Sequence, residues 1–280
     1  MATNTSEPPL LLFTTLRYDP LLRNDYNSPI NHSPYAPLYM LPYHRDRILR
    51  AATHFNYPAV ISLLSGDSGL ETLSSFILSS LTDEQKFHPH RIRVTVSPQD
   101  GELGITISPV PPVASIWNFF PDPFLPEPGR KLPVYSKAGL DNPFEVLVDS
   151  QRTKKSAYTH FKTTKRQVYE EARKRHGIAL TDRKEVLLVS PEGEVMEGSI
   201  ATPYFWRDGR WVTPPVREGE GEEEGDWGSG GNEGTTRRWA LEREIAVEQV
   251  VPASSLFDGE ECWLSNGGRG FYFGKVKLNS

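Results

Sequence analysis

The sequence predicts a mixed α+β and α/β chain folded as two domains. Three observations carry that expectation. The chain has 280 residues, about twice what one minimal core needs. Its first half reads as helices followed by a hairpin, and its second as buried strands alternating with helix. Between them lies a proline-rich stretch.

Leu10 to Tyr18 is rich in Leu, Phe and Thr and predicts a strand, ended by Pro20. Ile48, Leu49, Ala52 and Phe55 recur at helical spacing and predict an amphipathic helix over 44–55, with Pro58 as its outer limit. A second helix is expected around Glu71 to Leu81. Ile92 to Val96 and Leu103 to Ile107 alternate as strands about the turn Pro98-Gln-Asp-Gly101. A small α+β domain over residues 1–118 follows.

Residues 119–133 hold five prolines; each fixes φ and denies a sheet its donor, which predicts a linker. The second domain, 134–280, opens with the strand Glu145 to Asp149. A helix over Arg166 to His176 comes next, then a buried strand, Glu185 to Ser190, ended by Pro191-Glu-Gly193. Tyr204 to Val212 predicts a hairpin turning at Asp208-Gly209. Residues 218–232 are Glu and Gly with almost nothing to bury, which predicts a disordered surface insertion.

The balance of charge argues against a nucleic-acid partner: 31 Lys and Arg face 36 Asp and Glu, a net charge of -5. The start, Met1 to Pro9, lacks the basic flank and apolar run of a secretory signal, and no run suits a bilayer span, so a soluble cytoplasmic protein is expected. Cys262 is the single cysteine, which excludes an internal disulfide and leaves a Cys-based metal site without partners. A buried hydrophobe is its expected role.

Four polar pieces are candidates for chemistry. Lys162, between a predicted strand and a helix, could be held partly desolvated, which lowers an amine's pKa and frees it for attack on a carbonyl; a solvated surface lysine is the alternative. Gly234-Thr-Thr-Arg237 opens a helical run, where backbone N–H groups and two hydroxyls suit a phosphate, or else simply cap the helix. Ser265-Asn-Gly-Gly268 is a phosphate nest or an ordinary turn. Glu197, among apolar neighbours, calls for a positive partner, which a ring nitrogen or a structural salt bridge could supply.

Taken in order, these pieces resemble the class IV, or fold-type IV, pyridoxal-phosphate enzymes. The His-x-x-Arg pattern of that family is matched by His44-Arg-Asp-Arg47, and its cofactor lysine segment by Lys162-Thr-Thr-Lys-Arg-Gln-Val-Tyr169. Glu197-Gly-Ser199 resembles its acid, although Thr202-Pro203 stands where an asparagine is usual. Gly234-Thr-Thr-Arg237 and Ser265-Asn266 resemble its two phosphate turns. The resemblance implies pyridoxal 5′-phosphate as cofactor, carried by Lys162, with Glu197 at the pyridine nitrogen and Arg47, Gly234, Thr235, Thr236, Ser265 and Asn266 around the cofactor.

Within that class, the short chain, its Leu-Phe-Thr-Thr-Leu-Arg17 start and Lys-Thr-Thr-x-Arg are most similar to aminodeoxychorismate lyases. That likeness implies conversion of 4-amino-4-deoxychorismate to 4-aminobenzoate and pyruvate, for folate synthesis. Pro98 to Leu103 is acidic where some such lyases carry a substrate-binding arginine, leaving Arg17, Arg93 or Arg166 as candidates for the substrate carboxylate. A class IV aminotransferase acting on branched-chain, D-amino or (R)-amine substrates and a noncatalytic relative are the alternatives. The implied architecture is that of D-amino-acid aminotransferase: two domains, the cofactor in the cleft between them, and a homodimer. No metal is implied.

Overall fold

The computed structural model describes residues 10–23, 37–113, 116–121, 125–129, 142–223 and 225–278. The first strand, β1 (Leu12–Tyr18), pairs antiparallel with β2 (His90–Val96), which pairs with β3 (Leu103–Pro109) to make a three-stranded sheet. Strand alternation divides β1 into two faces. Leu12, Leu16 and Tyr18 enter an apolar core with Ile92, Val94 and Val96 of β2, while Phe13, Thr15 and Arg17 line a cavity on the opposite side. The hairpin between β2 and β3 turns where the sequence predicts.

Three helices cover the apolar face. Helix α1 (Leu41–His54) buries Tyr43, His44, Arg47, Ile48, Ala51 and Ala52, a stripe at three- and four-residue spacing. Pro58 does more than bound α1. It occupies the first turn of an unexpected short helix, α2 (Pro58–Leu64), where a missing N–H costs nothing. Helix α3 (Gly66–Ser79) follows directly and contributes Leu70, Leu73 and Ile77 to the same core.

The larger sheet has eight strands. These are β4 (Phe144–Arg152), β5 (Lys184–Val189), β6 (Val195–Gly198), β7 (Thr202–Arg207), β8 (Arg210–Thr213), β9 (Val247–Glu248), β10 (Glu261–Asn266) and β11 (Gly270–Val276). Their spatial order is β6-β5-β4-β11-β10-β7-β8-β9. Strands β6 and β7 lie five places apart in that order yet only Ser199, Ile200 and Ala201 separate them in sequence. A flat sheet could not satisfy both, so this one curls. The β7–β8 turn uses Asp208 and Gly209, both at positive φ, as a two-residue hairpin requires.

The chain between the sheets runs through the one-turn α4 (Ala157–His160), an extended link at 161–166, and α5 (Gln167–Arg175). That link is stitched to β1: Phe13 N donates to Lys162 O at 3.1 Å, and Thr164 N to Leu11 O at 2.9 Å. The last helix, α6 (Thr235–Glu242), packs on β10 and α1. Phe119 and Phe120, at the start of the predicted linker, are core residues beside Tyr39 and Trp239. Residues 122–124 and 130–133 of that linker, like Met1 to Pro9, lie outside the described residues. Cys262 is fully buried, and burial raises its thiol pKa.

Residues 218–223 and 225–232 correct the expectation of a disordered insertion. Composition hid Trp227, which is 2% exposed and packs among His54, His160 and Phe161. Around it, Arg50 pairs with Glu218 at 3.0 Å and with Glu233, Tyr158 OH donates to Glu222 at 2.6 Å, and Lys155 Nζ donates to Gly228 O at 2.7 Å. The segment is a strap across α1 and α4. Trp227→Ala should therefore lower unfolding stability by about 3 to 5 kcal/mol, the usual cost of emptying an aromatic site. Denaturant titration measures it, and an unchanged midpoint would mean the strap adds nothing to the core.

Candidate active site

Between the second face of β1–β2 and the larger sheet lies a cavity of about 750 Å³. The structure brings every predicted site residue to it: Lys162, Arg47, Glu197, Gly234, Thr235, Thr236, Ser265, Asn266, Arg17, Arg93 and Arg166. Lys162 does not follow a strand directly, since α4 intervenes after β4. A capping box between Ser156 and Thr159 fixes that turn. Held in the link beside β1, Lys162 is half-buried at the cavity wall, and its pKa lies well below the ordinary lysine range. Burial is the main cause, reinforced by the Arg166 and Arg47 charges and opposed by Glu197.

Glu197 lies on β6 itself rather than after a strand. Burial raises its carboxyl pKa, while Lys162, Tyr169 and Arg166 favour the ionised form. The Tyr169 hydroxyl donates to Glu197 Oε1 at 2.6 Å, and the Asn232 backbone N–H donates to the same carboxylate. These two donors fix the Glu197 carboxylate. Asn232 Nδ2 also donates to His160 O at 2.6 Å, joining the strap to the lysine-bearing link. Such an approach needs Gly231, whose Cβ would lie 2.5 Å from Met196 O.

At the other end, Arg47 is 9% exposed, has no carboxylate ion pair among the described residues, and leaves Nε without a partner. Burial lowers its pKa to about 10. An uncompensated buried guanidinium is costly and calls for an anion. Thr235 and Thr236 start α6 nearby with no side-chain cap bond, and Thr235 Oγ1 is also buried and unpartnered. The capping alternative therefore fails, while an acceptor of N–H and O–H groups suits this helix start. Thr236 Oγ1 and Ser265 Oγ lie 2.7 Å apart, and Asn266 Oδ1 accepts the Gly268 and Arg269 N–H groups. Arg237 turns away to Glu248 at 2.5 Å.

The carboxylate candidates separate by their existing bonds. Arg17 is spent on Asp19 at 2.8 Å and Pro111 O at 2.6 Å. Arg93 stacks 3.9 Å over the Phe13 ring and, among the described residues, forms no ion pair, although Glu170 acts on it from further away. Arg166 donates to Ser199 O at 2.6 Å and also lacks an ion pair. Arg91 lines the same cavity but was missed, although strand alternation from Arg93 places it on that face. The sequence reading also gave Tyr169 and Asn232 no site role. Tyr169 could be found from its spacing after Lys162, whereas nothing local marks Asn232.

Together the cavity-facing amine, the facing acid and the cationic end fit pyridoxal 5′-phosphate, a cofactor that carries an aldehyde, a ring nitrogen and a phosphate. Comparison with known proteins agrees. The profile of the family described as amino-transferase class IV matches residues 12–274. A Schizosaccharomyces pombe protein assigned as an aminodeoxychorismate lyase is 33% identical over 129 residues, 44% of this chain and 51% of that protein. The chain thus spans about half the length of this curated relative. A Thermotoga maritima protein assigned as a branched-chain amino acid aminotransferase superposes with a TM-score of 0.60 at 22% identity, over 96% of this chain and 77% of the other. A Mycobacterium tuberculosis aminotransferase in its PLP-bound form gives 0.57 at 16% identity, over 96% and 81%. At these identities the two structural likenesses are of fold.

The neighbouring charges make the Lys162 titration testable. Arg166→Gln removes a positive charge that disfavours the ammonium form, so the Lys162 pKa should rise. The midpoint for Lys162 modification by an amine-directed reagent, followed against pH by mass spectrometry, is expected to move to higher pH. An unmoved midpoint would mean that the Arg166 charge does not act on Lys162.

Proposed function

This chain belongs to the class IV amino-transferase family, whose members depend on pyridoxal 5′-phosphate, and on that premise we propose that it is a 4-amino-4-deoxychorismate lyase. The observation that carries the reading is the pair Arg93 and Arg166, which line the cavity with no acid paired to either among the described residues. An amine bearing two carboxylates would satisfy both through planar two-point contacts. The lyase assignment of the S. pombe relative supports the same substrate. The enzyme would release 4-aminobenzoate and pyruvate, a step in folate synthesis, as a cytoplasmic homodimer.

The cofactor supplies an electron sink next to the substrate amine. The protein's part is to hold and move protons around it. Lys162 Nζ, its pKa lowered by desolvation and its cationic neighbours, takes the proton from the substrate ring and returns it to the departing enolpyruvate. Glu197, fixed by Tyr169 and Asn232, holds a proton at the cofactor ring nitrogen. Arg47, Thr235 and Thr236 grip the phosphate, with Ser265 behind Thr236 and Asn266 shaping the adjoining turn. Arg93 and Arg166 orient the substrate, and Arg17, already bonded, braces the wall.

Lys162→Ala should abolish borohydride-reducible attachment of the cofactor and lower turnover by about 100- to 10,000-fold, the usual range for a lost general acid–base. Chromatography of the reaction with 4-amino-4-deoxychorismate decides the substrate. Release of 4-aminobenzoate with pyruvate supports the lyase. Conversion of amino donors to 2-oxo acids, without that product, would assign the chain to the aminotransferases its fold also resembles. Failure to attach the cofactor at all would identify a noncatalytic relative.

A further inference from the structure

The apolar face of β1 contains one polar residue that its core position does not explain. Thr14 alternates with Leu12 and Leu16, is fully buried, and faces His44 and Arg47 of α1, which stand one helical turn apart. A guanidinium can only donate, so Thr14 Oγ1 accepts from Arg47 Nη2 at 2.5 Å. The hydroxyl's single proton then goes to His44 Nδ1, 2.6 Å away. That assigns the ring proton to Nε2. Among the described residues Nε2 has no partner, and a Cβ on Gly267 would come within 2.7 Å of it.

We propose that Thr14 is a positioning residue for the cofactor phosphate, fixing the Arg47 guanidinium through a hydrogen-bond relay that His44 completes. The proposal rests on Arg47 gripping that phosphate. Arg47 has no other side-chain hydrogen bond among the described residues, so without Thr14 its fork is free to turn about the side chain. Planar recognition of a phosphate loses its second bond when the fork rotates. The relay also requires a neutral imidazole, because only an unprotonated Nδ1 can accept the Thr14 hydroxyl proton. Burial and the Arg47 and Lys162 charges hold His44 in that neutral form by lowering its pKa well below the ordinary histidine value.

The test compares dissociation constants for pyridoxal phosphate and for pyridoxal, which lacks the phosphate, by quenching of tryptophan fluorescence. Thr14→Val keeps the side-chain shape and removes the hydroxyl; Thr14→Ser keeps the hydroxyl; Arg47→Gln controls for the phosphate contact. Thr14→Val should bind pyridoxal phosphate about tenfold more weakly, the scale of a lost hydrogen bond to a charged group, and pyridoxal unchanged. Thr14→Ser should retain the wild-type ratio. In nitrogen NMR the His44 Nδ1 signal should shift in Thr14→Val and not in Thr14→Ser. If Thr14→Val does not fold, Thr14→Ala makes the same comparison. Equal weakening of both ligands, or no weakening while Arg47→Gln discriminates against the phosphate, would overturn the relay and leave the phosphate reading standing. An Arg47→Gln protein with undiminished preference for pyridoxal phosphate would overturn both.

Discussion

An amine partly withdrawn from water among several guanidinium groups is driven to give up its proton, and Lys162 stands in this way among Arg166, Arg47 and Arg93. The rest of the cavity depends on that pressure. Glu197 is the counterweight: buried, yet inclined toward ionisation by the same cations that neutralise the lysine. A phosphate at Arg47 and carboxylates at the outer arginines would balance the remaining positive charge. Ligand binding and charge neutralisation are thus one event in this cavity.

The fold meets the demand by giving β1 two faces. Strand β1 packs leucines against α1 and turns Phe13, Thr15 and Arg17 to the cavity. The same strand bonds to the backbone of Lys162, so the amine is fixed to the smaller sheet while its acid sits on the larger one. The curl imposed by the short β6–β7 connection carries Glu197 round toward Lys162, and the strap closes the circuit through Asn232. Precision comes from backbone attachment on both sides rather than from long side chains reaching inward.

Much of this was legible in order along the chain. Apolar and β-branched runs marked β1, β4 and β5, alternation marked β2 and β3, helical spacing marked α1 and α5, and Asp208-Gly209 announced its hairpin. The family motifs located Lys162, Glu197 and Arg47 in one cavity. What escaped was decided by distant contacts. Pro58 reads equally well as the end of one helix or the first turn of the next, and packing on α1 chose the second. Residues 218–232 look unfoldable by composition, because one tryptophan and a set of carboxylates gain their partners only from α1 and α4. Asn232 acquires its bonds from β6 and His160, residues 35 and 72 positions away by subtraction of their numbers. Arg17 looked free in sequence because nothing local says that Asp19 turns back to it.

The hydroxyls of Tyr204, Ser265 and Thr236 form a chain from the core to the start of α6, with links of 2.9 and 2.7 Å in which either partner can donate. Burial raises the Tyr204 pKa, so the phenol keeps its proton. With Tyr204 donating first, each hydroxyl hands its hydrogen to the next, and Thr236 is left with one to offer into the cavity. Rotating all three reverses the polarity and presents a lone pair there instead. The fold has built a reversible wire of neutral groups, able to turn either a donor or an acceptor toward the cavity without moving a helix or burying another ion.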